Sequence, residues 1–309
     1  MSSKKILITG VTGFIGKHVA RHFKALNWEV IGIGTSSPEN APEALLIDYH
    51  HLVLPHQNFI EILKEHQPDL LVHCAGRSSV PFSMKAPEQD YQHGPSLTFF
   101  ILEQMRLHSK NTKFVFLSSA AVYGNPENNP IEETHPLSPI SPYGYHKWQS
   151  EIICKEFFEV YKIPTTILRV FSAYGAGLRR QVIWDICFKI TFVEHFMLHG
   201  TGTESRDFIH ALDIAQAIEC ITNKSPFEGD TYNIASGQET SIKNLANNLV
   251  TALGSSKKIT FNQSSPKGMP INWKADITKL LNLGFNPTLP ISKGLDSFAN
   301  WFLADHSLK

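Results

Sequence analysis

The first strand–helix junction of the chain constrains its fold more than any other stretch. Lys4-Lys5-Ile6-Leu7-Ile8-Thr9 is a short apolar run that reads as a buried parallel strand. It ends at Gly10-Val11-Thr12-Gly13-Phe14-Ile15-Gly16, which opens a helix through roughly Leu26. A glycine-rich turn between strand and helix leaves backbone N–H groups at the helix N-terminus, where the dipole favours an anion. The spacing G-x-x-G-x-x-G is one residue longer than the commoner dinucleotide fingerprint, but its position is the one a pyrophosphate uses.

The rhythm that follows extends the argument. Glu29–Gly34 reads as a second strand, Ala44–Asp48 as a third, Asp69–Gly76 as a fourth, Lys113–Ser119 as a fifth and Thr165–Phe171 as a sixth. Helices are expected over Asn58–His66 (stopped before Pro68), Ser96–Leu107 and Ser141–Tyr161, with 125–142 as a loop. Strands alternating with helices argue a doubly wound parallel α/β sheet, whose ligands lie off the carboxyl ends of its strands. Beyond Gly175 the rhythm breaks. Helices over 182–194, 213–221, 241–253, 277–283 and 291–303, with short strands at 206–210 and 231–234, suggest a smaller C-terminal α/β lobe for a substrate. Residues 1–175 are expected to form the dinucleotide domain, with about 206–235 returning to it, and 176–309 the substrate lobe.

An acidic residue at the end of the second strand would normally hold the ribose hydroxyls of NAD. Thr35-Ser36-Ser37 stand there, and no carboxylate appears until Glu39, which reads as loop. Hydroxyls at Thr35 and Ser36 can hydrogen-bond a 2′-phosphate, so NADP is expected over NAD, although no arginine follows to pair with one.

Composition narrows the class. The 309 residues are 42% hydrophobic and 18% charged, which suits a sizeable core and not disorder. Lys+Arg and Asp+Glu balance at 28 each, giving no electrostatic pull towards nucleic acid or an anionic membrane. Cys74, Cys154, Cys187 and Cys220 are widely separated, as expected of reduced thiols in the cytoplasm. The chain enters a strand almost at once and holds no apolar run of membrane-spanning length, so neither a signal peptide nor a membrane anchor is expected. Its 15 histidines lack metal-ligand spacing; His50-His51-His56 is the nearest cluster and has no partners in sequence, so no metal is expected.

The chemistry is expected on the third of these helices. Ser141 is a good N-cap and Pro142 suits the first helical position. Trp148, Ile152, Ile153, Phe157 and Tyr161 follow at helical spacing. Tyr143 and Lys147 then lie four apart on one face. A phenol with a pKa near ~10 is ionised in about one molecule per thousand at pH 7. Lowering it to ~7 takes about 4 kcal/mol, part of which a lysine ammonium one turn away can supply. A plain amphipathic helix carries the same pair by chance, so the weight of Tyr-x-x-x-Lys comes from its company. Ser119, at the carboxyl end of the fifth strand, is the companion placed to hydrogen-bond a reacting oxygen.

Together these motifs resemble the extended short-chain dehydrogenase/reductase family, the NAD(P)-dependent nucleotide-sugar epimerases, dehydratases and reductases. The likeness runs through Gly10/Gly13/Gly16, His73-Cys74-Ala75-Gly76, Ser118-Ser119-Ala120-Ala121-Val122-Tyr123-Gly124, Tyr143-Gly144-Tyr145-His146-Lys147, Leu168–Gly175, Arg206-Asp207-Phe208-Ile209-His210 and Asn233–Gly237. It implies a Rossmann-like fold, Tyr143 as catalytic acid/base, Lys147 on the nicotinamide ribose, and Ser119 on the sugar's reacting oxygen. It places the cofactor along Gly10, Thr12, Gly13, Phe14, Ile15, Gly16, Thr35, Ser36, Cys74, Ala75, Gly76 and Phe171, with Asp48 and Tyr49 beside the adenine. A nucleotide-diphosphate sugar would meet Ser79, Ser119, Ser172, Arg206 on its phosphates, and Asp276. Members are often homodimers packed through helix pairs that include the Tyr143 helix, where Ile153, Phe157 and Phe158 are apolar; a buried face within the chain explains those three equally well.

The departures bear on the reaction. Where 4,6-dehydratases carry Thr-Asp-Glu, this chain has Ser119-Ala120-Ala121, so the acid and base for removing water are missing. The usual asparagines at Ser172 and Gly94 are absent too. The short, acid-free connection after the second strand resembles the NADPH-using reductases of 4-keto-6-deoxy sugars, and reduction at C4 with Tyr143 as proton donor is the favoured expectation. Ser-Ala-Ala-Val-Tyr-Gly resembles the NAD-dependent 4-epimerases at least as much, and 4-epimerisation is the alternative. A redox-sensing dinucleotide module without catalysis is a third reading, disfavoured by the intact Ser119, Tyr143 and Lys147.

Overall fold

In a computed structural model, the described residues are 3–264 and 271–307. The chain runs β1 (Lys5–Thr9), α1 (Phe14–Ala25), β2 (Glu29–Gly34), β3 (Asp48–His51), α2 (Asn58–His66), β4 (Leu70–His73), α3 (Val80–Lys85), α4 (Pro87–Tyr91), α5 (Leu97–His108), β5 (Lys113–Ser119), α6 (Pro142–Tyr161), β6 (Thr165–Val170) and β7 (Ser172–Tyr174). It continues with α7 (Gln181–Phe192), β8 (Ser205–His210), α8 (Ala211–Lys224), β9 (Glu228–Ile234), β10 (Glu239–Ser241), α9 (Ile242–Ala252), α10 (Thr278–Asn282) and α11 (Ile291–Ser307).

Seven strands form one parallel sheet in the order β3-β2-β1-β4-β5-β6-β9. The order reverses between β1 and β4, which opens a crevice at their carboxyl ends. Successive residues of a strand face opposite sides. Ile6 and Ile8 of β1 therefore pack with α1 and α8, and Leu7 with α2, α5 and α6. Apolar cover on both faces is why the strands read as continuous apolar runs. β7, β8 and β10 form a second, three-stranded sheet. With α7, α9 and α11 it encloses a separate core around Ile186, Leu249, Phe298 and Phe302. Of the segment 206–235, β9 joins the main sheet and β8 the small one. No helix among the described residues is long and apolar enough to cross a membrane.

The third strand is not where the apolar run predicts it. Glu43–Leu45 is a 3₁₀ turn, Leu45 and Leu46 lie against the α1 face, and the polar Asp48–His51 makes the strand. An edge strand needs backbone partners on one side only. The leucines are worth more as a cover for the exposed flank of β2 than as ladder residues. The two short helices α3 and α4 and the π-helical turn at 92–96 that follows them have no periodicity from which to predict them.

α6 begins as expected: Ser141 Oγ accepts from the Gly144 N–H at 3.3 Å, and Pro142 opens the first turn. It ends at Lys162, which adopts φ +60°. Beneath it lies a buried ion pair. Arg169 of β6 and Glu151 of α6 approach to 2.7 Å with side chains only 3% and 2% exposed. Ser118 Oγ also donates to Glu151, and Arg169 Nη1 donates to the Tyr123 hydroxyl at 2.9 Å. Tyr123 in turn donates to Asn233 Oδ1 at 2.7 Å. The network ties α6 to β5, β6 and β9 at once.

Removing one partner of such a pair strands a buried charge, which costs about 3–5 kcal/mol. Arg169→Met and Glu151→Gln are each expected to lose that much unfolding free energy in urea at pH 7. Lys64→Ala, at the exposed Lys64–Glu61 pair, should stay within about 0.5 kcal/mol. A loss below about 1 kcal/mol in both network variants would show that the network does not anchor α6.

Candidate active site

β5 ends at Ser119, and the first turn of α6 crosses that end. Tyr143 is buried there, its backbone N–H donating to Ser83 Oγ of α3 at 3.1 Å. Its phenol hydrogen-bonds the Ser119 side chain, whose Oγ also accepts from the Ala121 N–H at 3.2 Å. Lys147 lies one turn further along, with Nζ donating to the Leu117 carbonyl at 2.7 Å and 5.9 Å from the centre of the Tyr143 ring. Ser119 and the Tyr143–Lys147 pair, picked out from two separate motifs, are therefore brought to one place.

Their electrostatics differ from the sequence expectation. Burial pushes the Tyr143 phenol up to about 12, against a lowering pull from the Ser119 hydrogen bond and from Arg180. Burial also draws the Lys147 ammonium down to about 8, partly offset by the charge of Asp90. Lys147 was expected to lower the tyrosine. Its ammonium is instead held on a carbonyl beneath the ring, and desolvation of the phenol outweighs the neighbouring charges. The surroundings are equally dry: burial takes His73 down to about 3 and Cys74 up to about 12.

The crevice beside this cluster fits a dinucleotide. Gly10 has φ +69°, and a Cβ on it would stand 2.8 Å from the Ala75 nitrogen. A Cβ on Gly16 would stand 2.3 Å from the Gly10 carbonyl oxygen. Glycine alone permits this closeness, which presses the end of β4 onto the turn. The Thr9 side chain links the two, 2.7 Å from His73 Nδ1 and accepting from the Ala75 N–H at 3.3 Å. Gly13 caps α1 without any side chain, leaving the helix N-terminus to an anion with Thr12, Phe14, Ile15 and Gly16 around it.

Around the adenosine end the placement is mixed. Tyr49 faces the core shared with α1, and its hydroxyl donates to the Ser36 carbonyl at 2.5 Å. The Thr35 carbonyl contacts His51 at 3.2 Å. Asp48, expected beside the adenine, points to the opposite side of β3, 3.0 Å from His50 and 3.2 Å from His66 of α2. Alternation along a strand sends neighbouring side chains to opposite faces, so Asp48 and Tyr49 do not line the same surface. His50 thus has partners that the sequence did not reveal. Glu39, read as loop, lies in a 3₁₀ turn directly after β2, and its carboxylate accepts from Ser37 Oγ at 2.5 Å. Phe171 is packed under the site with Tyr123 and Trp273.

The expected substrate residues each have local contacts. Ser79 is used as the N-cap of α3, accepting from the Phe82 N–H at 3.2 Å. Asp276 accepts from the Thr278 N–H at 2.7 Å. Ser172 stands half-buried at the start of β7. Arg206 donates to the Ser205 and Ile271 carbonyls and lies 5.6 Å over the Trp273 ring, and it forms no ion pair among the described residues. Sequence reading missed Ser83 and Asp90, which arrive on the unpredicted α3 and α4; Asp90 pairs with His146 at 2.6 Å. Of the two arginines ahead of α7, Arg179 pairs on the surface with Asp305, whereas Arg180 reaches across to Ser78.

The family model described as the NAD dependent epimerase/dehydratase family matches residues 6–235. A putative UDP-glucose 4-epimerase of Methanocaldococcus jannaschii is 29% identical, over 96% of this chain and 97% of its own. The UDP-glucose 4-epimerase of Thermotoga maritima, solved with UDP-glucose, superposes with a TM-score of 0.89 at 26% identity, covering 99% of this chain and 100% of that one. The UDP-glucuronic acid 4-epimerase of Bacillus cereus, solved with UDP-glucuronic acid and NAD, gives 0.88 at 26%, covering 97% and 99%.

A phenol whose pKa is raised stays neutral until alkaline pH. In the cofactor-free protein, the tyrosinate absorbance difference between wild type and Tyr143→Phe is therefore expected to appear only above about pH 11, given a midpoint of about 12. A difference that develops near pH 7 would mean that the resting site already holds a phenolate.

Proposed function

The chain belongs to the NAD dependent epimerase/dehydratase family, and from that premise we propose that it inverts C4 of a nucleotide sugar, with NAD as its resident cofactor. The observation that carries this reading is the Ser119–Tyr143–Lys147 cluster beside a dinucleotide crevice, followed by Ala120 and Ala121 where elimination of water would need acids.

The chain's own groups have definable roles. Ser119 Oγ orients the sugar's O4 against the phenol. Tyr143 takes the O4 proton as hydride leaves C4, and after the 4-keto sugar has turned it returns that proton to O4; inversion comes from hydride returning to the opposite face of C4. Lys147 would hold the cofactor's ribose. NAD held along the glycine turn would supply reversible hydride exchange and a positive charge. Arg206, a guanidinium that forms no ion pair among the described residues, is available to the diphosphate.

From sequence, reduction of a 4-keto-6-deoxy sugar with NADPH was favoured. The full-length relatives named as 4-epimerases support the alternative instead. The choice of NAD rests on two supports. The Bacillus cereus epimerase holds NAD, and Glu39 places a carboxylate after β2, where it would repel a 2′-phosphate.

A homodimer through α5 and α6 is part of the same proposal. Phe157 is spent on the chain's own core and is only 1% exposed. Ile152 and Val160, eight apart on α6, are 51% and 64% exposed and form an outward apolar stripe with Phe99 and Leu107 of α5 beside it.

The test is turnover without an added reductant. Offered UDP-glucose or UDP-glucuronate, the purified protein is expected to form the 4-epimer with no net change in dinucleotide absorbance. Tyr143→Phe should lower the rate by about 10²–10⁴-fold. Stoichiometric oxidation of NADPH by a 4-keto-6-deoxy nucleotide sugar, without epimer formation, would restore the reductase reading.

A further inference from the structure

Three features single out Arg180. It stands at the N-terminal boundary of α7 in the small lobe without capping it, and its guanidinium crosses to the loop after β4. There Nη1 donates to the Ser78 carbonyl at 3.1 Å and Nη2 to Ser78 Oγ at 2.6 Å. Both partners are neutral, and Arg180 forms no ion pair with any described residue. Arg106, Arg169 and Arg179, by contrast, each hold a carboxylate. The loop it grips runs directly into α3 through the cap residue Ser79, and Ser83 of α3 accepts the Tyr143 backbone N–H. The exposed guanidinium is thus tied to the loop that leads into α3, against which the Tyr143 backbone rests, and its charge pulls the Tyr143 phenol down.

We propose that Arg180 determines specificity by pairing with a carboxylate on C5 of the sugar, so that the preferred substrates are nucleotide hexuronates over neutral nucleotide hexoses. This rests on the 4-epimerase reading, which sets C4 against Tyr143 and so brings the C5 substituent to the same end of the site. A guanidinium offers five donors, and the two bonds to Ser78 leave others free for a planar carboxylate. Arg206, which forms no ion pair among the described residues, remains for the diphosphate.

The test compares UDP-glucuronate with UDP-glucose, which differ only at that substituent. Binding to the NAD-loaded protein is measured by calorimetry and turnover by steady-state kinetics. Wild type is expected to favour UDP-glucuronate in both. Arg180→Gln should lower the uronate-to-hexose ratio of kcat/KM about 10- to 100-fold, chiefly through KM. Arg180→Lys, which keeps the charge without the fork, should fall between. Equal losses on both substrates would assign Arg180 to the diphosphate or to holding the loop and would overturn the proposal, as would a wild type that favours UDP-glucose. If neither sugar is epimerised but the Arg180-dependent binding preference persists, the epimerase reading fails while the recognition stands. Epimerisation with no such preference has the opposite meaning.

Discussion

The site depends on a buried ion pair that is not itself part of the chemistry. Glu151 and Arg169 join the middle of α6 to β6, and through Ser118, Tyr123 and Asn233 to β5 and β9. Two charges taken out of water are costly and reward the fold only when every lone pair and proton is met. Here Arg169 uses Nε, Nη1 and Nη2 on Glu151, Tyr123 and the Glu133 carbonyl. A helix resting on apolar contacts alone can slide or rotate. One locked by directional bonds to three strands cannot do so without breaking several of them. Tyr143 and Lys147 sit within two or three turns of the lock, and Ser119 is adjacent in sequence to one of its members. The alignment of all three follows from this anchor.

Burial has a second consequence. The same dry surroundings that fix the residues suppress their charges: the phenol is raised, the ammonium lowered, and His73 and Cys74 are both kept neutral. The resting protein thus holds a neutral phenol beside the Lys147 ammonium, which a value of about 8 leaves mostly protonated at pH 7, with Arg180 and Asp90 as the further charges that act on the phenol. A cationic ring lying in the crevice would change that balance more here than in water, because the attraction is poorly screened. Cofactor binding and activation of the tyrosine are in this way coupled by the dielectric of the site.

Much of this was legible in the sequence, for identifiable reasons. The parallel strands are buried on both faces and so read as apolar runs; β1, β2, β5 and β6 stand close to where those runs fall. The caps of α6 and α9, Ser141 and Ser241, announce themselves because the side chain that satisfies a helix N-terminus must come from a short list of residues. What was not legible depends on long-range partners. β3 was misplaced because an edge strand owes its pairing to β2 and not to its own composition. Asp48 was assigned to the adenine because a motif carries no information about which face of a strand a side chain takes. Arg179 and Arg180 look alike in sequence; Asp305 and Ser78, more than a hundred residues away in opposite directions, make them different. Ser83 and Asp90 came with two short helices that carry no periodic signal.

The account's central claim is that Tyr143 shuttles a proton at O4 while the hydrogen on C4 leaves and returns within one closed site. A nucleotide sugar carrying deuterium at C4, turned over in ordinary water, tests it most directly. The account predicts a 4-epimer that retains the deuterium at C4, with none exchanged into solvent. Loss of the label to water during epimerisation, or its accumulation on a released reduced dinucleotide, would contradict it.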